Sequence, residues 1–360
     1  MPDLVIKPTA GAGNKLILQD QGGGTGATIE NATITVPVLK LTPGSAPGSP
    51  TEGELYYNST TKVTSVYNGS TWDPMSNKFS ATGGTESTHS FGGSTYKVHT
   101  FTSSGTFTVN AGGSVDVLVV AGGGAGSNAV NYGGAGGAGG LIWQTGHTLT
   151  ANTYNAVIGA GASGYDSNRG NNGGNTTIFG LTAIGGGGGG FQGGTTTGKD
   201  GGSGGGGGYT GTGNGGTGTQ SSQSGDSGTY GFGNNGGFGN SGSTSPAGPN
   251  SSGGGGGAGG AGTAGDFTDP PIGGVGKDMS SYVGTSVGDS GWFASGGGGS
   301  NQAGYSAGTA SAGGGGEGSI YNASSATHGD ANTGGGGGCG TNPQSGRNGG
   351  SGVVIVRYVV

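Results

Sequence analysis

Cysteine occurs once in this chain, and the single Cys339 excludes an intrachain disulfide framework. Charge is also sparse: 8 % of the 360 residues are Asp, Glu, Lys or Arg, against about 25 % in ordinary soluble domains. The net charge of -6 comes with no basic patch to hold phosphates, which argues against a nucleic-acid partner. Low charge argues equally against ordinary disorder, which relies on net charge to resist collapse. Apolar residues make up 28 %, so any core must be small. The longest apolar runs, Val115–Ala121 and Val353–Val360, fall far short of the ~20 residues that cross a bilayer, so no membrane insertion is expected. Met1-Pro2-Asp3 begins no basic start followed by an apolar run. The expectation is a chain without a secretory leader, assembled inside a cell and released by another route such as lysis.

Glycine is what the chain has in excess. There are 102, of which 15 precede residue 111. Collagen is excluded, because it needs Gly at every third position and abundant Pro, and here there are 12 prolines and no fixed period. Gly runs recur at 185–190, 204–208, 253–257, 296–299, 313–316 and 334–338, separated by segments that carry Tyr, Phe, Trp or Pro. A flexible linker is one reading. The other is a bundle of extended three-fold helices of the polyproline II type, packed closely because Gly has no side chain and joined through outward-pointing backbone groups. Glycine loses the most entropy on ordering, so only a dense hydrogen-bond lattice could offset that cost.

The remaining segments read as strands. Leu4–Ile6, Lys15–Leu18 and residues 28–41 are short β-branched runs with turn punctuation, and Pro43–Pro50 reads as a linker. Residues 51–78 form a small meander, with Tyr57, Tyr67 and Trp72 as its core and Asn68-Gly69 as a type I′ turn. Residues 79–94 read as a polar connector. From 95 to 360 the strands are Thr95–Phe101, Thr106–Val109, Val115–Val120, Leu141–Trp143, Thr153–Ile158, Thr176–Phe179 and Val353–Tyr358. The last should return to the sheet begun by Val115–Val120. No stretch combines helical periodicity with end caps, and each Gly would cost a helix about 1 kcal/mol.

Recognisable catalytic chemistry is scarce. Gly193–Asp200 nearly matches a phosphate-binding loop but places Asp200 where Ser or Thr must hold Mg²⁺. Gly211–Gly216 fits a dinucleotide fingerprint and Gly201–Gly205 a nucleophile elbow, both expected by chance at this Gly density. His89, His99, His147 and His328 lack metal-ligand spacing, and the carboxylates beyond the opening strands are scattered. No enzyme activity, catalytic residue, metal or cofactor is expected. Aromatics between Gly runs are more informative. One reading makes them plugs of small cores at the lattice ends. The other makes Phe191, Tyr209, Tyr230, Phe232, Phe238, Trp292, Phe293 and Tyr305 receptor contacts, because aromatics among Gly, Ser and Asn have the composition of antibody contact surfaces.

Leu55–Thr60 and Tyr67–Trp72 resemble a module of bacteriophage tail fibres, notably of marine and cyanobacterial phages, and Ile6–Asp20 resembles the start of such proteins. Gly105–Val109, Val117–Gly126, Gly173–Thr177 and Gly349–Tyr358 resemble the glycine-rich domain that ends such fibres. The same order of features resembles the glycine-rich region of anaplastic lymphoma kinase. That region is disulfide-bonded, which the lone Cys339 forbids here. The resemblance implies an all-β chain: a β-sandwich like tumour necrosis factor with an inserted polyglycine II bundle and no significant α-helix. It also implies a virion protein, assembled in the host cytoplasm, that joins other virion proteins through its N-terminal region and touches a host-surface glycan or protein. A homotrimer is expected, because thin strand segments gain a core by sharing it. Alternatives are a capsid or tail decoration without a receptor, and an ice-binding or surface-adhesion protein.

Overall fold

The computed structural model describes residues 40–41, 43–60, 63–75, 79–129, 132–166, 168–192, 194–209, 213–220, 232–240, 250–266, 269–341 and 345–360. The strands expected between Leu4 and Val38 lie outside these. The chain divides into two compact units, Met1–Ser76 and Asn77–Val360.

The first unit is a sheet in the order β1-β2-β3-β4, formed by Pro43–Gly44, Leu55–Asn58, Thr64–Tyr67 and Trp72–Pro74. Strand β1 pairs in parallel with β2, so the expected linker begins with a strand. The core departs from expectation by one residue: Trp72 meets Tyr56 and Tyr67, with ring centroids 4.4 and 5.3 Å away, rather than Tyr57. The turn between β3 and β4 is not type I′, which needs positive φ at both central residues. Gly69 has φ 93°, but Asn68 stays on the negative side. The Asn68 carboxamide oxygen instead accepts from the backbone N–H groups of Ser70 and Thr71 at 2.9 and 2.8 Å, an Asx-type turn.

The second unit is essentially all-β. Its strands are β5 Ser80–Thr82, β6 Thr85–Phe91, β7 Ser94–Phe101, β8 Gly105–Ala111, β9 Gly113–Val120, β10 Ser127–Ala129, β11 Leu141–Leu149, β12 Asn152–Ala156, β13 Tyr165–Asp166, β14 Thr176–Ile178, β15 Leu181–Ala183, β16 Lys277–Asp278, β17 Trp292–Phe293, β18 Gly340–Thr341 and β19 Val353–Val359. A single turn of helix, α1, spans Ser280–Val283. A five-stranded sheet, β11-β9-β19-β7-β6, shares a core with the three-stranded sheet β12-β8-β5. As expected, the last strand returns between β9 and β7, antiparallel to both. Alternation along β9 sends Val115, Val117 and Val119 into the core shared with Phe107 and Val109 of β8. Leu118 and Val120 point the other way, into a second core with Leu141, Trp143, Met279, Val283 and Phe293. The five-stranded sheet is therefore covered on both faces. Residues 79–94 are not a connector, because they hold β5 and β6. Strand β6 reads as polar because it lies at the sheet edge with most of its residues exposed.

Arg357 of β19 fastens α1 to this sheet. Its guanidinium meets the Asp116 carboxylate at 2.9 and 3.0 Å and donates to the Tyr282 carbonyl at 2.7 Å. It lies 4.2 Å from the ring centroid of Tyr96 and 5.3 Å from those of Trp143 and Tyr282.

The glycine runs form the expected lattice. Residues 121–127 leave β9 as an extended chain whose N–H groups address three neighbours in rotation. Ala121, Gly124 and Ser127 donate to Gly140, Gly137 and Gly134; Gly122 and Ala125 donate to Gly174 and Asn171; Gly123 and Gly126 donate to Gly350 and Arg347. A partner that recurs every third residue is the signature of a three-fold helix, and no β-ladder produces it. Residues 132–140 sit at the centre. They donate to 184–190, 253–256 and 334–337, and accept from 121–127, 203–206 and Gly297, so six neighbours surround them. Glycine is obligatory here for steric reasons. A Cβ on Gly134, Gly136, Gly137 or Gly139 would run into the carbonyl of Gly206, Gly124, Ser203 or Ala121 respectively. Between Gly133 and Gly140 the two non-Gly residues, Ala135 and Ala138, are fully buried, and Ala138 joins the second core.

Candidate binding surface at the far end of the glycine lattice

Direction within the lattice follows from these hydrogen bonds. Residues 121–127 run away from the sandwich and 132–140 run back to β11, because Ala121 pairs with Gly140 and Ser127 with Gly134. At about 3.1 Å per residue the outward pass is about 19 Å long. Later passes keep alternating. Residues 184–190 leave β15 and run outward, 203–208 run parallel to them, 232–240 leave Leu141 and run outward, and 253–258 return. Residues 294–301 run outward, 334–341 do the same, and 345–352 return to β19.

This alternation sorts the aromatics predicted as contacts. Phe191, Tyr209, Phe238 and Tyr305 follow or end outward passes and lie at the end remote from the sandwich. Phe232, Trp292 and Phe293 lie at the sandwich end. Phe293 is fully buried in the second core, so it offers nothing to a receptor. Phe232 packs against that core with the Lys277 ammonium 4.3 Å from its ring centroid, and Trp292 pairs with Asp278 in a two-residue ladder. Tyr230 lies outside the described residues. At the remote end Phe238 is 60 % exposed and Tyr305 40 % exposed.

Sequence reasoning missed the organising residue of that end, Tyr132. It is buried, and its ring meets Tyr209 edge-on at 5.5 Å and Tyr321 at 5.9 Å. Its carbonyl accepts from the Tyr209 N–H at 2.9 Å, and its own N–H donates to the Gln192 side-chain oxygen at 3.2 Å. Burial raises the pKa of its phenol, which Asn250 hydrogen-bonds. The Gln302 side-chain oxygen accepts from the Asn250 N–H at 3.2 Å. Three tyrosines and three amides from separate passes thus converge on one end.

A family model for the glycine-rich domain matches residues 98–359. The chain belongs to the glycine-rich domain family. No curated relative matches it in sequence.

Elsewhere in the glycine-rich domain, reactive side chains are absorbed by structure. Ser203, of the apparent nucleophile elbow, is fully buried and donates its N–H to Ala138. Lys199, of the apparent phosphate loop, is a lattice member through its own N–H and C=O. Cys339 is fully buried among Ser127, Gly133 and Ser300, and burial pushes its thiol up to about 11. His99 stands between the sheets, 2.7 Å from the Gly83 carbonyl and 3.3 Å from the Tyr358 hydroxyl. His147 stacks on Phe179, His89 meets the Ser281 carbonyl, and His328 accepts from the Asn348 N–H. Among the described residues no group of His, Cys, Asp and Glu could hold a metal ion, and no helix is long and apolar enough to cross a membrane. Burial, and to a lesser degree the charge of Asp289, raise the pKa of Asp330.

Proposed function

We propose that this protein is a structural and binding component of a bacteriophage virion, a tail fibre or tail-associated adhesin. Its N-terminal region would join other virion proteins, and its glycine lattice would carry the far end to a host-surface glycan or protein. One observation supports this above the others: a hydrogen-bonded shaft holds exposed aromatics and a tyrosine–amide cluster about 19 Å beyond the sandwich. Glycine lattices suit that task because each pass is braced by its neighbours on all sides, so the end is presented on a rigid support. The exposed edge strand β6 is a natural place for copies of the chain to meet, and a homotrimer is the assembly proposed.

Immunogold electron microscopy of virions, with antibody against residues 98–359, tests the reading. Label at fibre tips is expected. Label spread over the capsid or the tail shaft would favour a decoration protein, and particles without label would end the phage assignment. Sedimentation equilibrium of the whole chain should return three times the monomer mass.

A further inference from the structure

Charge is absent from the segments that carry the tyrosine–amide cluster; Asp166 of β13 and Asp266 reach the same end on other passes. Asp, Glu, Lys and Arg do not occur anywhere in residues 203–225, 227–265, 290–316, 318–329 or 331–346. These segments supply Tyr209, Tyr321, Asn250 and Gln302; Tyr132 and Gln192 come from equally uncharged stretches at 117–165 and 170–198. A surface that recognised phosphate, sulfate or uronate would need a cation, and one that recognised an amine would need a carboxylate. What the cluster offers instead is ring faces and amides. Tyr209 and Tyr321 are half-buried on the buried ring of Tyr132, which fixes them before any ligand arrives. Gln192 and Gln302 are each held through the side-chain oxygen, which leaves their amide N–H donors without a partner among the described residues. Burial raises the pKa of the Tyr132 phenol, so the centre of the cluster stays neutral in alkaline medium too.

We infer that the far end takes uncharged carbohydrate, with sugar rings stacked on Tyr209 and Tyr321 and hydroxyls met by Gln192 and Gln302. Apolar ring faces with hydroxyl edges match fixed aromatics beside fixed amides, and such contacts need no ion pair. This rests on the far end being the contact surface, as proposed above.

The test is an array of neutral and charged oligosaccharides probed with the whole chain, followed by binding to a panel of bacterial cells before and after periodate oxidation of their sugars. Neutral oligosaccharides should be retained, with affinity that does not change from low to high salt. Tyr209→Ala and Tyr321→Ala should each weaken retention about tenfold, the loss typical of one contact aromatic. Tyr209→Phe keeps the ring and should keep most of the affinity, which separates lost stacking from a damaged fold. Binding to charged polymers that fades with salt, or cell binding that survives periodate, would overturn the inference. If the alanine variants still abolished that binding, the far end would remain the contact surface. Binding untouched by the alanine variants would remove both.

Discussion

Gly136 shows what a single methyl group would do. It lies in the central pass, and its Cβ would run into the Gly124 carbonyl, a backbone atom that cannot move without its own neighbours. Gly136→Ala should therefore destabilise the second unit by about 3 kcal/mol or more, the upper range of overpacking. Gly194 is the contrast: its Cβ would meet only the Phe191 ring, at an ordinary 3.5 Å. Gly194→Ala should be neutral or stabilise by about 0.4–1 kcal/mol through the unfolded state. Urea melts of the two variants decide it. His99 gives a second residue-scale outcome. Burial holds its folded pKa below the ordinary 6.5, and bonding to Gly83 and the charge of Glu86 offset this only in part. The unfolded chain then binds the proton more readily, so stability falls as pH drops through about 6.5 and continues to fall toward the folded value. The melting temperature should decline on acidification, and His99→Gln should flatten that decline, leaving the contribution of His147, whose pKa burial also lowers.

At the scale of elements, the contact between α1 and the sheet joins an apolar core to one buried cation. Arg357 is buried, and Arg357→Met would leave Asp116 without its partner and the Tyr282 carbonyl without its donor. A loss of about 3 kcal/mol is expected. Hydrogen exchange should quicken first over residues 277–293, which hold β16, α1 and β17. The double variant Arg357→Met, Asp116→Leu should regain part of the loss. Elements were also where the sequence was most legible. Alternation located β7, β8 and β9, and the unpaired run at the C-terminus implied its return beside β9. Strand β6 was missed because an edge strand exposed on both faces has no apolar alternation to read. The Asn68-Gly69 turn was misassigned because a side-chain acceptor replaced one of the backbone conformations a two-residue turn requires. Lattice neighbours could not be read at all, since glycines differ in nothing that would encode a partner. Trp292 and Phe293 were placed among the contacts because aromatics between Gly runs look alike in sequence. Counting passes would have separated them: each pass reverses the last, so alternate gaps fall at opposite ends.

At the scale of the whole molecule, the lattice predicts how the chain breathes. The N–H groups of 134–140 are divided among three different passes, so fraying one neighbour releases at most three of the seven. Their exchange with deuterium should proceed only through unfolding of the entire second unit, at the same free energy as the central strands β9 and β19. Exchange within seconds over these residues would contradict the lattice. The six-neighbour arrangement also makes the shaft a gauge marked in threes. Removing three residues from one outward pass and three from the pass that returns it would shorten that hairpin by about 9 Å and leave every remaining N–H facing the same neighbouring pass. Removing one or two would turn each group to the wrong neighbour. Lineages of this fold can therefore lengthen, shorten or rewrite the tips in whole increments while the scaffold beneath them stays in register.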